Sequence, residues 1–98
     1  MTDTILKNKT NNKTQKPKMY KVILLNDNYT TMDFVIEILL TVFGKNESEA
    51  IVIMLNVHKQ GKGIAGIYSY DIAQTKVKIA KDLARENGHP LQLTMEQE

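Results

Sequence analysis

The spacing of apolar residues changes character at one point in this 98-residue chain, and that change limits the folds open to it. Met19 to Leu25 is a short run rich in Tyr, Val, Ile and Leu, which reads as a strand, and Asn26-Asp27-Asn28 closes it with turn-forming residues. Beyond the turn, Met32, Val35, Ile36, Leu39, Leu40 and Phe43 recur at helical spacing until Gly44, with Thr30 expected as the N-cap and Asp33 completing a capping box. Asn46 with Glu49 repeats that arrangement ahead of Ala50, Ile51, Met54, Leu55 and His58, a second helix that Gly61 stops. Ala65 to Tyr68 is expected as a short strand in which Gly66 allows close backbone approach. Ser69 is expected to cap a third helix running from Tyr70 to Asn87. Its apolar stripe is Ile72, Ala73, Lys76, Val77, Ile79, Ala80, Leu83 and Ala84, and Gly88-His89-Pro90 ends it; Leu91 to Met95 is the last strand.

The fold class that follows is α+β. A single small domain, residues 19-98, carries a three-stranded antiparallel sheet covered by three helices in the order β-α-α-β-α-β, so that all three apolar stripes are buried. A chain of this length has apolar residues for one core only, and with no cysteine that core must hold by burial alone. Residues 1-18 are rich in Lys, Thr, Asn and Gln and bury too little to offset chain entropy, so they are expected to form a disordered N-terminal extension. Five of their residues are lysines against one aspartate; this leaves +4 in the extension and −2 in the remainder of a chain whose net charge is +2. A nucleic-acid footprint spread over the fold is therefore not expected. No apolar run approaches the roughly 20 residues that cross a bilayer, and no signal-like apolar core opens the chain, so a soluble protein of a bacterial-type cytoplasm is expected.

The residue inventory argues for binding over reaction. Nucleophilic catalysis needs a Ser, Cys or Thr beside an oriented base; cysteine is absent, and neither Ser48 nor Ser69 sits in a nucleophile elbow. His58 and His89 lie in different elements with no further zinc ligands at metal spacing, so no metal is expected. Gly61-Lys62-Gly63 lacks the Lys-Ser/Thr terminus of a phosphate cradle. What stays is a polar cluster, Asn26 and Asp27, next to apolar Met32, with a second half at Met54, Val57 and His58. Taken singly, Asn26-Asp27 reads as a turn satisfying its own backbone, His58 as a helix C-terminal residue, and the Met/Val set as ordinary core. Their joint occurrence is what those separate readings do not require.

Several separated motifs occur in an order and spacing that resemble one family. Met19-Tyr20-Lys21-Val22-Ile23-Leu24-Leu25-Asn26-Asp27-Asn28-Tyr29-Thr30-Thr31-Met32-Asp33-Phe34-Val35, then Val57-His58-Lys59-Gln60-Gly61-Lys62, Thr75-Lys76-Val77 and Ala84 to Leu91 are similar to the ClpS adaptors over about residues 19 to 95. The resemblance implies a non-enzymatic adaptor, without cofactor, that binds substrates through a destabilising N-terminal Leu, Phe, Tyr or Trp. It delivers them to a Clp AAA+ unfoldase of ClpA or ClpC type and its peptidase for degradation.

By that resemblance, Asn26, Asp27 and His58 hold the substrate α-amino group, and Thr30, Met32, Val35, Met54, Val57 and Leu91 line the side-chain pocket. Met32 also helps to exclude β-branched side chains. Asp71 and Lys76 on the third helix meet the unfoldase amino-terminal domain, and the extension assists hand-over; neither nucleic acid nor membrane is implied as a partner. The alternative within the same class is a regulator that occupies the unfoldase domain without delivering substrates. Two positions depart from the family pattern: Asn28 stands where a second acidic residue is common, and Thr31 where a proline is.

Overall fold

The computed structural model describes residues 17-98. The elements run β1 (Met19–Leu25), α1 (Met32–Thr41), α2 (Glu47–Gln60), β2 (Lys62–Ser69), α3 (Tyr70–Glu86) and β3 (Gln92–Gln97), the expected β-α-α-β-α-β order. The expectation for residues 1-16 of the extension lies outside the described residues.

β1 is the central strand of an antiparallel sheet ordered β2-β1-β3. It carries the only run of three consecutive buried residues in the sheet, Val22, Ile23 and Leu24, and such β-branched and aliphatic side chains suit a central strand. Val22 and Leu24 face the helices, where Leu93 of β3 and Ala65 of β2 join them in the main core. Ile23 points to the opposite face and is sheltered there between its register partners Ile64 and Thr94.

α3 crosses all three strands, α2 lies on β2, and α1 packs against α2. α3 approaches the sheet through Ala73, Ala80 and Ala84, each 1 % exposed or less, because small side chains let a helix sit close to a sheet. Its larger apolar residues Ile72 and Ile79, expected in the stripe, are exposed instead; Val77 and Leu83 are partly buried. Phe34, Val35, Ile38 and Leu39 of α1 fill the space between, each contributing about 1.5–3 kcal/mol on burial.

Further differences from expectation concern α1, β2 and α2. α1 is capped by Thr31, whose hydroxyl accepts from the Phe34 amide at 3.1 Å, while the Thr30 hydroxyl donates to Asp27 and is no longer available for capping. β2 is twice the expected length, and within it a register shift opposite Val22 and Ile23 leaves Ala65 as an extra residue. That bulge puts Ile64 and Ile67, three apart, on one face and hides the alternation from a period-two reading. A Cβ at Gly66 would run into the Tyr68 ring, so close approach here involves a side chain of its own strand. The third difference is in α2, whose buried face is Ala50, Met54 and Val57; Ile51, Leu55 and His58 are exposed.

The connection between α1 and α2 is tied to the rest from α3. Lys76 Nζ donates to the Val42 carbonyl at 2.8 Å and lies 5.2 Å from the centre of the Tyr68 ring. The start of α2 has the expected reciprocal box: Asn46 Oδ1 accepts from the Glu49 amide at 2.8 Å, and Glu49 Oε1 from the Asn46 amide at 3.0 Å.

Asn46→Ala is expected to cost about 1 kcal/mol of unfolding free energy, and Leu39→Ala, which empties a fully buried site, about 2–5 kcal/mol. Both are read as lower urea midpoints at unchanged slope.

Candidate functional site

The exit of β1 and the end of α2 meet because of one backbone bond. The Asn26 amide donates to the Gly61 carbonyl at 2.9 Å, immediately beyond the last β1–β2 register pair, Leu25 and Lys62. Gly61 caps α2 with φ +90°, a left-handed conformation that residues with a Cβ adopt at a cost, and its amide donates to Val57 at 3.0 Å. The turn so made brings His58 opposite Asn26 and Asp27.

Asp27 organises the loop that follows. Its Oδ1 accepts from the amides of Tyr29 (2.8 Å) and Thr30 (2.6 Å), and its Oδ2 accepts from the Thr30 hydroxyl (2.7 Å). Partial burial alone would push this carboxyl up. The Thr30 amide and hydroxyl and the Tyr29 amide outweigh that, the charge of His89 acts in the same direction, and the group is held below the ordinary aspartate range. Oδ2 has a single donor in this set and keeps capacity for another.

The result is a cup of about 380 Å³ lined by Asn26, Asp27, Asn28, Tyr29, Thr30, Thr31, Met32, Val35, Met54, Val57 and His58. Its polar side is the 26-31 loop with His58. Its apolar side is the first turn of α1 and the last turns of α2, with Val35, Met54 and Val57 anchored in the core and Met32 half exposed at the rim. Carboxylate, amide and imidazole acceptors beside an apolar wall suit a cationic donor carrying an apolar group.

Of the residues singled out in the sequence, Asn26, Asp27, Thr30, Met32, Val35, Met54, Val57 and His58 come together here. Leu91 does not line the cup: it is buried in the core at the entry to β3. Asp71 and Lys76 lie on α3, away from the cup. Asp71 is exposed, whereas Lys76 is half-buried and committed to Val42, so the pair is not a simple solvated charge pair. Sequence reasoning missed His89, whose ring lies 4.3 Å from that of Phe34, centre to centre, and whose charge acts on Asp27. Its only signal was a position just after the glycine that ends α3. Among the described residues no group of three or more His, Cys, Asp or Glu is placed to hold a metal, and no helix is long and apolar enough to cross a membrane.

Comparison with known proteins points to one family. The family model for the ATP-dependent Clp protease adaptor protein ClpS matches residues 15–94. The ClpS adapter protein of Acetivibrio thermocellus is 57 % identical over 95 residues, covering 97 % of this chain and 96 % of the relative. That of Clostridium acetobutylicum is 61 % identical over 87 residues, 89 % of this chain and 86 % of the relative. Among solved structures, Agrobacterium tumefaciens ClpS2 bound to L-phenylalaninamide superposes with a TM-score of 0.80 at 43 % identity, covering 85 % of this chain and all of that one.

Asp27→Asn removes the charge and one of the two carboxylate acceptors and is expected to lower stability by about 1–2 kcal/mol at neutral pH, a value kept small by solvent screening. Because the folded-state pKa is depressed, the native protein's advantage over the variant is present above the unfolded carboxylate value of about 3.9. It shrinks as pH falls through the folded value. Urea unfolding of both proteins across that range checks the sign; a gap that widens on acidification would contradict it.

Proposed function

This chain belongs to the ClpS family of ATP-dependent Clp protease adaptor proteins, and we propose that it binds proteins through a destabilising N-terminal Leu, Phe, Tyr or Trp and delivers them to a Clp AAA+ unfoldase. The observation that carries this reading is the single cup in which Asn26, Asp27 and His58 face a wall of Val35, Met54 and Val57. The reading is supported by the phenylalaninamide carried by the Agrobacterium relative, a ligand with a free α-amino group and an aromatic side chain.

A free α-amino group has a pKa near 8 and is largely an ammonium at neutral pH, with three donors. Asn26 Oδ1, the Asp27 carboxylate and an unprotonated His58 nitrogen supply three acceptors. The Asp27 bonds to Tyr29 and Thr30 fix the carboxylate before a ligand arrives, so little ordering is left for binding. Acetylation removes the charge and two donors, leaving polar groups unpaired at about 1–3 kcal/mol each. Burial of a Leu or Phe side chain against Thr30, Met32, Val35, Met54 and Val57 adds about 1.5–3 kcal/mol, so both halves are needed for useful affinity. The half-exposed Met32 at the rim disfavours the extra branch of an Ile or Val terminus.

Delivery needs a second surface, for which Asp71 and Lys76 are the candidates, facing the unfoldase amino-terminal domain. The role of the adaptor is to hold and pass on, with bond cleavage left to the protease. Residues 1-18 serve as the extension that engages the unfoldase during hand-over, and residues 19-98 as the folded adaptor core.

In fluorescence anisotropy, a labelled peptide with a free N-terminal Leu is expected to bind; its acetylated form, a Gly-starting peptide and an Ile-starting peptide are expected to bind at least tenfold more weakly. His58→Ala and Asp27→Ala should abolish the Leu preference, and equal binding of all four peptides would refute the assignment. For the second surface, Asp71→Ala is the cleaner probe, since Lys76→Ala also strips the Val42 carbonyl of its partner. It is expected to weaken pull-down by the unfoldase domain while peptide affinity is unchanged, and undiminished capture would place docking elsewhere.

A further inference from the structure

The outside of the α1–α2 hairpin carries apolar residues that the fold leaves wholly or partly uncovered. Leu40, Ile51 and Leu55 are 38–40 % exposed, Ile36 is partly buried, and Met32 at the rim is 47 % exposed. Met32, Ile36 and Leu40 follow one another at four-residue steps on α1, as do Ile51 and Leu55 on α2. The two helices pack against each other through a short connection, and the cup joins the start of α1 to the end of α2, so they run antiparallel. By helical spacing Leu55 is then one turn back from His58 and Ile51 one turn further, on the same side of α2 as His58, which meets Met32 across the cup. The five residues form an apolar strip that begins at the rim of the cup and continues down the hairpin. Polar residues border it: Asp33 and Glu37 beside it on α1, and Glu47 and Lys59 at the two ends of the Ile51–Leu55 row on α2.

We propose that this strip is an extended subsite for the substrate segment just behind the N-terminal residue, and that the protein favours N-termini followed by apolar side chains. The proposal rests on the reading of the cup as an N-terminal-residue site. Two observations select this occupant. The strip is continuous with the cup through Met32, which lines both. Its length also fits: from Met32 to Leu40 the helix rises about 12 Å, the span of about four residues of extended peptide, so positions two to five of a captured chain would lie along it. A cup that reads only a single residue has no need of exposed Ile and Leu two turns away.

The test compares two labelled peptides with the same free N-terminal Phe, one followed by Val-Leu-Ile-Val and one by Gly-Ser-Thr-Ser, each competed with L-phenylalaninamide. The expected result is about three- to tenfold tighter binding of the apolar peptide. Leu55→Gln and Ile51→Gln, both at exposed helical positions outside the cup, are expected to erase that advantage and leave the phenylalaninamide inhibition constant unchanged. Equal affinities for the two peptides, both displaced by phenylalaninamide, would overturn the subsite and leave the cup reading intact. Failure of phenylalaninamide to displace either peptide would remove the cup reading and the subsite with it. An apolar advantage that appears only after residues 1-16 are deleted would assign the strip to this chain's own amino-terminal segment and overturn the proposal.

Discussion

The bond from the Asn26 amide to the Gly61 carbonyl, 2.9 Å long, is the constraint on which the rest of the site depends. It joins the two places where regular structure stops, the exit of β1 and the end of α2, and so sets the loop carrying Asp27 against the helical turn carrying His58. Neither half is a site alone. The left-handed Gly61 makes the meeting possible, because the chain must leave α2 and enter β2 within one residue. From there the antiparallel register of β1 with β2 carries the geometry back into the sheet.

Around that joint, rigidity and exposure are divided in a way that suits capture. The apolar wall is anchored in the core through Val35, Met54 and Val57, whereas the polar wall is a loop held by one carboxylate. Asp27 therefore has two duties: it satisfies the Tyr29 and Thr30 amides and it presents negative charge to the cup. His89 packs against Phe34 and its charge acts on Asp27, so the α3–β3 connection, remote in sequence, contributes to the electrostatics of the site. On the opposite end of the hairpin Lys76 does comparable work, holding the α1–α2 connection through Val42. A lysine with that structural bond is a partner-binding residue only at some cost to its own packing.

Much of this was legible in the residues. Strand β1, the capping box at Asn46 and the stop at Gly61 are local signals, each decided by a few neighbours in sequence, and each stands where expected. The cup was legible as two halves, because polar turn residues beside apolar walls are unusual in both places. The cap of α1 was misread because Thr30 and Thr31 offer the same hydroxyl, and only the bond from Thr30 to Asp27 decides between them. The length of β2 was missed because the bulge at Ala65 breaks the alternation that identifies a strand.

What the sequence by itself determined was the set of elements, their order and the chemistry available to a site, since helical and strand periodicities, caps and glycine stops act over a few residues. Only the tertiary structure decided which apolar residues are core and which are surface. On α3 the alanines are buried and Ile72 and Ile79 exposed, and on α2 Met54 and Val57 turn inward while Ile51 and Leu55 do not. The physical reason is that burial depends on how closely a helix can approach its sheet. Small side chains set that distance on α3, and the position of α1 sets which side of α2 is covered; both are properties of the packed assembly, not of any one segment.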